Sequence, residues 1–137
     1  CTSSDVANVT GAGTSATVPF GTEIFDTNGD FASPTFTAPV TGKYFLSTVV
    51  RASGLASDNT AGKIEFVTSN RTYRLEESNP YAMMASGAFQ FHGSILADMD
   101  AADTCTVVLT VFNGSDVVDI RGGGTPIESY FYGELVS

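Results

Sequence analysis

The 137-residue sequence has no tryptophan, one histidine, two cysteines and only six Lys plus Arg residues. Each shortage excludes a class of protein. Two cysteines, Cys1 and Cys105, are too few for a disulfide scaffold. His92 is the single histidine, so the Cys/His cluster that a zinc site needs is missing. Six basic residues against fifteen acidic ones give a net charge of −9, which repels nucleic-acid phosphates and anionic membranes. No apolar run approaches the ~20 residues of a membrane-spanning helix. P-loop, dinucleotide-binding and G-x-S-x-G signatures are absent, and His92 has no nucleophile motif to serve. The sequence is therefore read as that of a non-enzymatic protein.

What is present favours β-structure. The chain is 42% hydrophobic, with ten Phe, five Tyr and fourteen Gly. That is enough apolar mass for one ordinary core, and the residue types suit strands and tight turns. Short β-forming runs at 16–20, 35–39, 43–52, 63–68, 72–76, 88–97, 105–113, 117–121 and 127–136 alternate with Gly-, Asn- and Asp-rich turns, the pattern of a sandwich or barrel. Residues 1–4 read as the tail of a strand that starts upstream. The expectation is a single domain over 1–137 that forms the C-terminal part of a longer chain. Cys105 lies within the run TCTVVLTVF and is expected to be a buried free thiol.

Two strands are apolar on both sides. Successive strand residues point to opposite faces. In 43–51, Tyr44, Leu46, Thr48 and Val50 share one face, and Phe45, Ser47 and Val49 share the other. Near the C-terminus, Phe131, Gly133 and Leu135 lie opposite Tyr130, Tyr132 and Glu134. A strand facing water on one side should be polar there. Burying one Phe contributes roughly 1.5–3 kcal/mol, so a row of such side chains left in water predicts a partner. Phe45, Val49, Tyr130 and Tyr132 are assigned to a contact between subunits. His92 joins them as a polar member on the face opposite Phe89, Phe91 and Ile95.

Two acidic loops invite a calcium reading. In D-T-N-G-D, Asp26, Asn28 and Asp30 imitate the start of a calcium loop, but Gly29 comes too early and position twelve is Thr37. That loop is read as an Asx-rich connection. Asp98, Asp100 and Asp103 form a second acidic knot and are the candidate calcium ligands. Loops carry recognition on rigid β frames, which singles out Arg74, Glu76, Glu77 and Tyr81. Tyr81, Met83 and Met84 follow Asn79-Pro80 and are expected to cap one end of the sandwich.

Phe20, Asp26, Phe31 and Phe36, followed by F-T-A-P-V-T-G-K-Y-F-L with Gly42 and Tyr44, resemble the signature of C1q-like domains of the C1q/tumour necrosis factor superfamily. The terminal Y-F-Y-G-E-L resembles the family's F-x-G-x-L ending, and A-D-M-D-A-A-D-T-C-T-V-V-L its G-D-x-V-x-L region. Leu46 and Ala102 depart from the pattern. The resemblance implies a ten-stranded jelly-roll sandwich of two five-stranded antiparallel sheets, three copies around a threefold axis, and in some members calcium near that axis. It implies a recognition module like those at the ends of bacteriophage tail fibres and other virion proteins, binding a host surface receptor. The alternatives are a purely structural virion clamp or decoration unit, and a secreted cellular binding protein.

Overall fold

A computed structural model describes residues 1–137. Eleven strands and one helical turn form two packed antiparallel sheets: β1 (Val6–Thr10), β2 (Ser15–Thr17), β3 (Phe31–Ala32), β4 (Thr35–Thr37), β5 (Gly42–Ser53), β6 (Ala61–Thr68), β7 (Thr72–Ser78), α1 (Pro80–Met83), β8 (Phe89–Met99), β9 (Thr104–Phe112), β10 (Val118–Ile120) and β11 (Tyr130–Leu135). The fold is the expected all-β jelly-roll sandwich. The additional strand relative to the ten expected is the two-residue β3, which pairs with β4 and makes the second sheet six-stranded.

Each sheet is organised around one long strand. In the five-stranded sheet, β8 pairs with β5 from Gly42↔Met99 to Ala52↔Phe89. The other edge of β5 is shared. β11 pairs with Tyr44 to Val49, and β10 with Ala52 and Ser53, while β1 continues the sheet beyond β10. In the six-stranded sheet, β9 pairs with β6 on one side and with β4 and β2 on the other.

The core lies between the sheets and follows the alternation in the sequence. Tyr44, Leu46, Thr48, Val50 and Ala52 of β5 are all buried, as are Ile64, Phe66, Val107 and Leu109 from the facing sheet. Buried side-chain polar groups find partners, as the low interior dielectric favours, with Ser78 Oγ the exception. The Tyr44 hydroxyl donates to the Val40 carbonyl at 2.6 Å, and the Thr48 hydroxyl donates to the Tyr130 carbonyl at 2.9 Å. Buried Asn59 ties loops together: its Oδ1 accepts from the Ala56 N–H, and its Nδ2 donates to the Gly11 carbonyl.

Two positions are explained only by the tertiary structure. Gly42 is not at a positive φ. It is small because a Cβ there would lie 2.7 Å from the Ser137 carbonyl oxygen and 2.7 Å from Leu135 Cδ1. Leu135 has the inward-facing parity of Phe131, yet it is 48% exposed although its register partner Tyr44 is buried, because β11 is an edge strand with no neighbour on its other side.

Glycine also sets how closely β7 approaches β8. A Cβ on Gly93 would fall 2.5 Å from Leu75 Cβ. Gly93→Val is expected to force the strands apart and destabilise the fold by about 1–3 kcal/mol. Urea unfolding checks this; an unchanged midpoint would contradict the contact.

Cys1 and Cys105 are both free thiols. Burial pushes the Cys105 thiol up to about 12, because the anion has no solvation inside β9. The unfolded thiol ionises near pH 8.5, so this group's contribution to stability is complete below that pH and is lost as pH rises toward 12. Native protein treated with iodoacetamide at about pH 8 is expected to be labelled at half-buried Cys1, with Cys105 labelled only after denaturation. Rapid labelling of Cys105 in the folded state would contradict this burial.

Candidate functional site

The outer face of the five-stranded sheet carries the subunit-contact residues expected from sequence, and strand register orders them into rows. Tyr130, Val49 and His92 stand side by side across β11, β5 and β8, then Tyr132, Ser47 and Ser94, then Glu134, Phe45 and Leu96. Odd-numbered positions of β5 and even-numbered positions of β8 and β11 share this face because all three strands pair antiparallel without a bulge. Phe45 and Tyr132 meet edge to face at 6.4 Å. Tyr132 in turn meets Phe25 at 6.3 Å. A hydrogen bond to Glu134 raises the Tyr132 phenol above its usual pKa.

Leu96 is 58% exposed and Phe25 is 69% exposed, and both enlarge this apolar face beyond the residues singled out from sequence. Leu96 was legible, since it shares parity with His92. Phe25 was not, because only the fold brings the 22–30 segment alongside β11.

The other candidates are dispersed. Arg74 Nη1 donates to Glu77 at 2.8 Å and its Nε donates to Glu65 at 3.3 Å, and Lys63 pairs with Glu65 at 3.1 Å. These carboxylates raise the Arg74 pKa. Glu76 leaves that group and accepts the His92 N–H of β8 at 2.9 Å. Tyr81 lies in α1, 45% exposed and separate from the ion cluster. This turn forms because Asn79 caps it, accepting from the Ala82 N–H at 3.1 Å, and Pro80 starts it. Met84 packs on the core, whereas Met83 stays exposed.

Neither acidic loop gathers a ligand set. No group of three or more His, Cys, Asp or Glu side chains is placed to hold a metal ion. Asp98 projects from β8 opposite Lys43, while Asp103 accepts the Asp100 N–H at 2.8 Å and the Asn70 side-chain amide within a turn. The expected calcium set of Asp98, Asp100 and Asp103 is thus divided between a strand and a turn. Asp26 closes its own loop, accepting the N–H groups of Asp30 and Phe31 at 3.0 Å each. Those bonds, Phe31 first, hold its carboxyl below the usual range.

No family model matches the chain, and no curated protein matches it. Among solved structures, the globular domain of the zebrafish complement 1qA protein is similar over 100% of this chain and 98% of that one, with a TM-score of 0.56 and 15% identity. The EclA C-terminal domain, a sugar-binding protein, aligns over 88% of this chain and 79% of that one, with a TM-score of 0.38 and 13% identity. The two-sheet architecture, its strand order and the first of these likenesses define a C1q-like jelly roll. That is a statement of fold.

Proposed function

We propose that this chain is a non-enzymatic, trimeric recognition module, the C-terminal unit of a longer chain at the tip of a bacteriophage tail fibre or related virion protein, where it binds a host surface receptor. The observation that carries the reading is the outer face of the β8–β5–β11 sheet. Phe45, Val49, Tyr130 and Tyr132, with Leu96 beside them, form one apolar surface too large to leave in water. A surface with β11 at one border and β8 at the other suits a head-to-tail contact, and such contacts close into a ring when the rotation allows. His92 at the rim supplies a polar contact. Arg74, Glu76 and Glu77, which lie on β7 and not on a loop as their sequence context suggests, and Tyr81 of α1 are outside that face and are the assigned receptor surface. Fold alone does not give function, so receptor binding rests on analogy with C1q-like fibre tips, and the trimer rests on the surface itself.

Two measurements test this reading. Sedimentation equilibrium is expected to give three chains, and labelled protein is expected to be retained on host bacteria or on their isolated surface glycans. A trimer that binds neither is a structural clamp. A monomer at micromolar concentration overturns the proposal.

A further inference from the structure

The sandwich is open beside β11. This strand pairs with β5 on one edge and with no strand on the other. Between the free edge and the 22–31 segment lies an apolar slot of about 930 Å³. Its floor is the core itself: Phe20, Phe36, Tyr44 and Phe131 line it, and Phe25 and Tyr132 flank its mouth. An unpaired edge is a template for another strand, and native folds usually block it. At the opposite border of this sheet, Glu76 of β7 occupies one donor of β8, the His92 N–H.

The slot has a charge preference as well as a shape. Glu23, Asp26, Asp30 and Glu134 border it, and no Lys, Arg or His side chain lines it. A second copy of this chain does not match: it carries the same net charge of −9, and none of its strands alternates basic with apolar residues. The complementary occupant supplies backbone N–H and C=O groups, apolar side chains on one face and cations on the other.

We propose that the slot is a strand-addition site for an extended segment of another polypeptide, in which Lys or Arg alternates with large apolar residues. Such a segment lies along β11. Its backbone pairs with the free edge, its apolar side chains enter the slot, and its cations reach the acidic border. Main-chain pairing supplies affinity in this binding mode, and the pockets for alternate side chains supply selectivity. The six residues of β11 extend about 20 Å at ~3.3 Å per residue, which sets a footprint of roughly six residues. The slot shares Phe45, Ser47, Tyr130 and Tyr132 with the sheet's outer face, so occupancy of the slot and the proposed trimer contact are coupled, and the peptide titration is run on protein whose oligomeric state is measured in the same buffer.

The experiment uses the whole chain and a fluorescent hexapeptide of sequence Lys-Val-Lys-Phe-Lys-Val, followed by anisotropy and by amide hydrogen exchange. Binding is expected, with slowed exchange in β11. Alternate N-methylation removes peptide N–H donors on one edge. Of the two N-methylated registers, the one that blocks pairing is expected to bind about tenfold more weakly. Replacing all Lys by Glu is expected to abolish binding. The doubly neutralised protein Glu23→Gln/Asp30→Asn, altered only at exposed or half-buried polar positions, should bind the basic peptide more weakly and melt as the wild type does. Equal affinity for the basic and acidic peptides, tight binding by both N-methylated registers, or no binding by any peptide would overturn the proposal. Protection of the β11 edge amides in the free protein would do so too, because it would mean that the edge is already paired.

Discussion

With Leu96→Lys and Tyr130→Lys introduced together, the chain is expected to sediment as one copy, against the three copies proposed for the wild type. Both side chains stand on the outer face of the five-stranded sheet, Leu96 58% exposed and Tyr130 38% exposed, so neither is needed to fill the core. In a trimer this face would be covered, and the ammonium groups would be desolvated with only Asp98 and Glu134 of the same face within reach to offset them. Desolvating an unpaired charge costs several kcal/mol, and every 1.4 kcal/mol is a tenfold change in the association constant. Two such charges move the equilibrium by at least about 10⁴. Lysine makes the inference clean, because it brings a chain of net charge −9 closer to neutrality. Long-range repulsion between copies would then fall, and dissociation could not be blamed on it. Val117→Lys, at a position 50% exposed and off this face, is the control and is expected to remain trimeric. A trimer that survives the double substitution would place the contact elsewhere on the molecule.

Phe131→Ala is expected to produce the largest loss of stability, on the order of 3–5 kcal/mol. The ring is only partly buried, yet it is the hub of the aromatic core. Its centroid lies 5.9 Å from Phe20, 5.9 Å from Phe31, 6.1 Å from Phe36 and 5.5 Å from Phe66. Edge-to-face and tilted contacts of this kind add about 0.5–1.5 kcal/mol per pair beyond the area they bury. Truncation removes four at once, beside a slot whose lining has little left to collapse onto. Domains of this size are stable by about 5–15 kcal/mol, so a large fraction of the total is at stake. Urea midpoints check the effect, with Val117→Ala for comparison. That side chain is 50% exposed and off the contact face, and its truncation is expected to change stability by less than about 1 kcal/mol. Similar midpoints for the two variants would show that Phe131 does not hold the sheets together.

Much of the frame could be read before any fold was known. The alternation through β5 assigns Tyr44, Leu46 and Val50 to the core and Phe45 and Val49 to the outer face, and both faces are as read. Asn79 followed by Pro80 is a helix-start signal, yet a four-residue turn is too short to show a hydrophobic period, so the sequence reads as a loop there. Leu135 shares its parity with Phe131. Parity fixes the face, and the unpaired edge of β11 decides exposure.

The candidate sites were less legible, because charge pairing depends on partners distant in sequence. Arg74 resembles a free recognition group until Glu65, nine residues earlier, is folded against it. Asp98, Asp100 and Asp103 resemble a ligand set until Asp98 is placed on a strand and Asp103 is engaged by the Asp100 N–H and the Asn70 amide within the turn.

The linear order of residues, through a side-chain period of two along each strand, settled that this protein is an all-β sandwich with a second apolar face. Only the tertiary structure decided that β11 keeps an unpaired edge, that Phe25 stands beside Tyr132, and that the slot between them has an acidic border. Backbone geometry acts between adjacent residues and is written locally, whereas a groove is formed by segments about a hundred positions apart, which meet only when the sheets close.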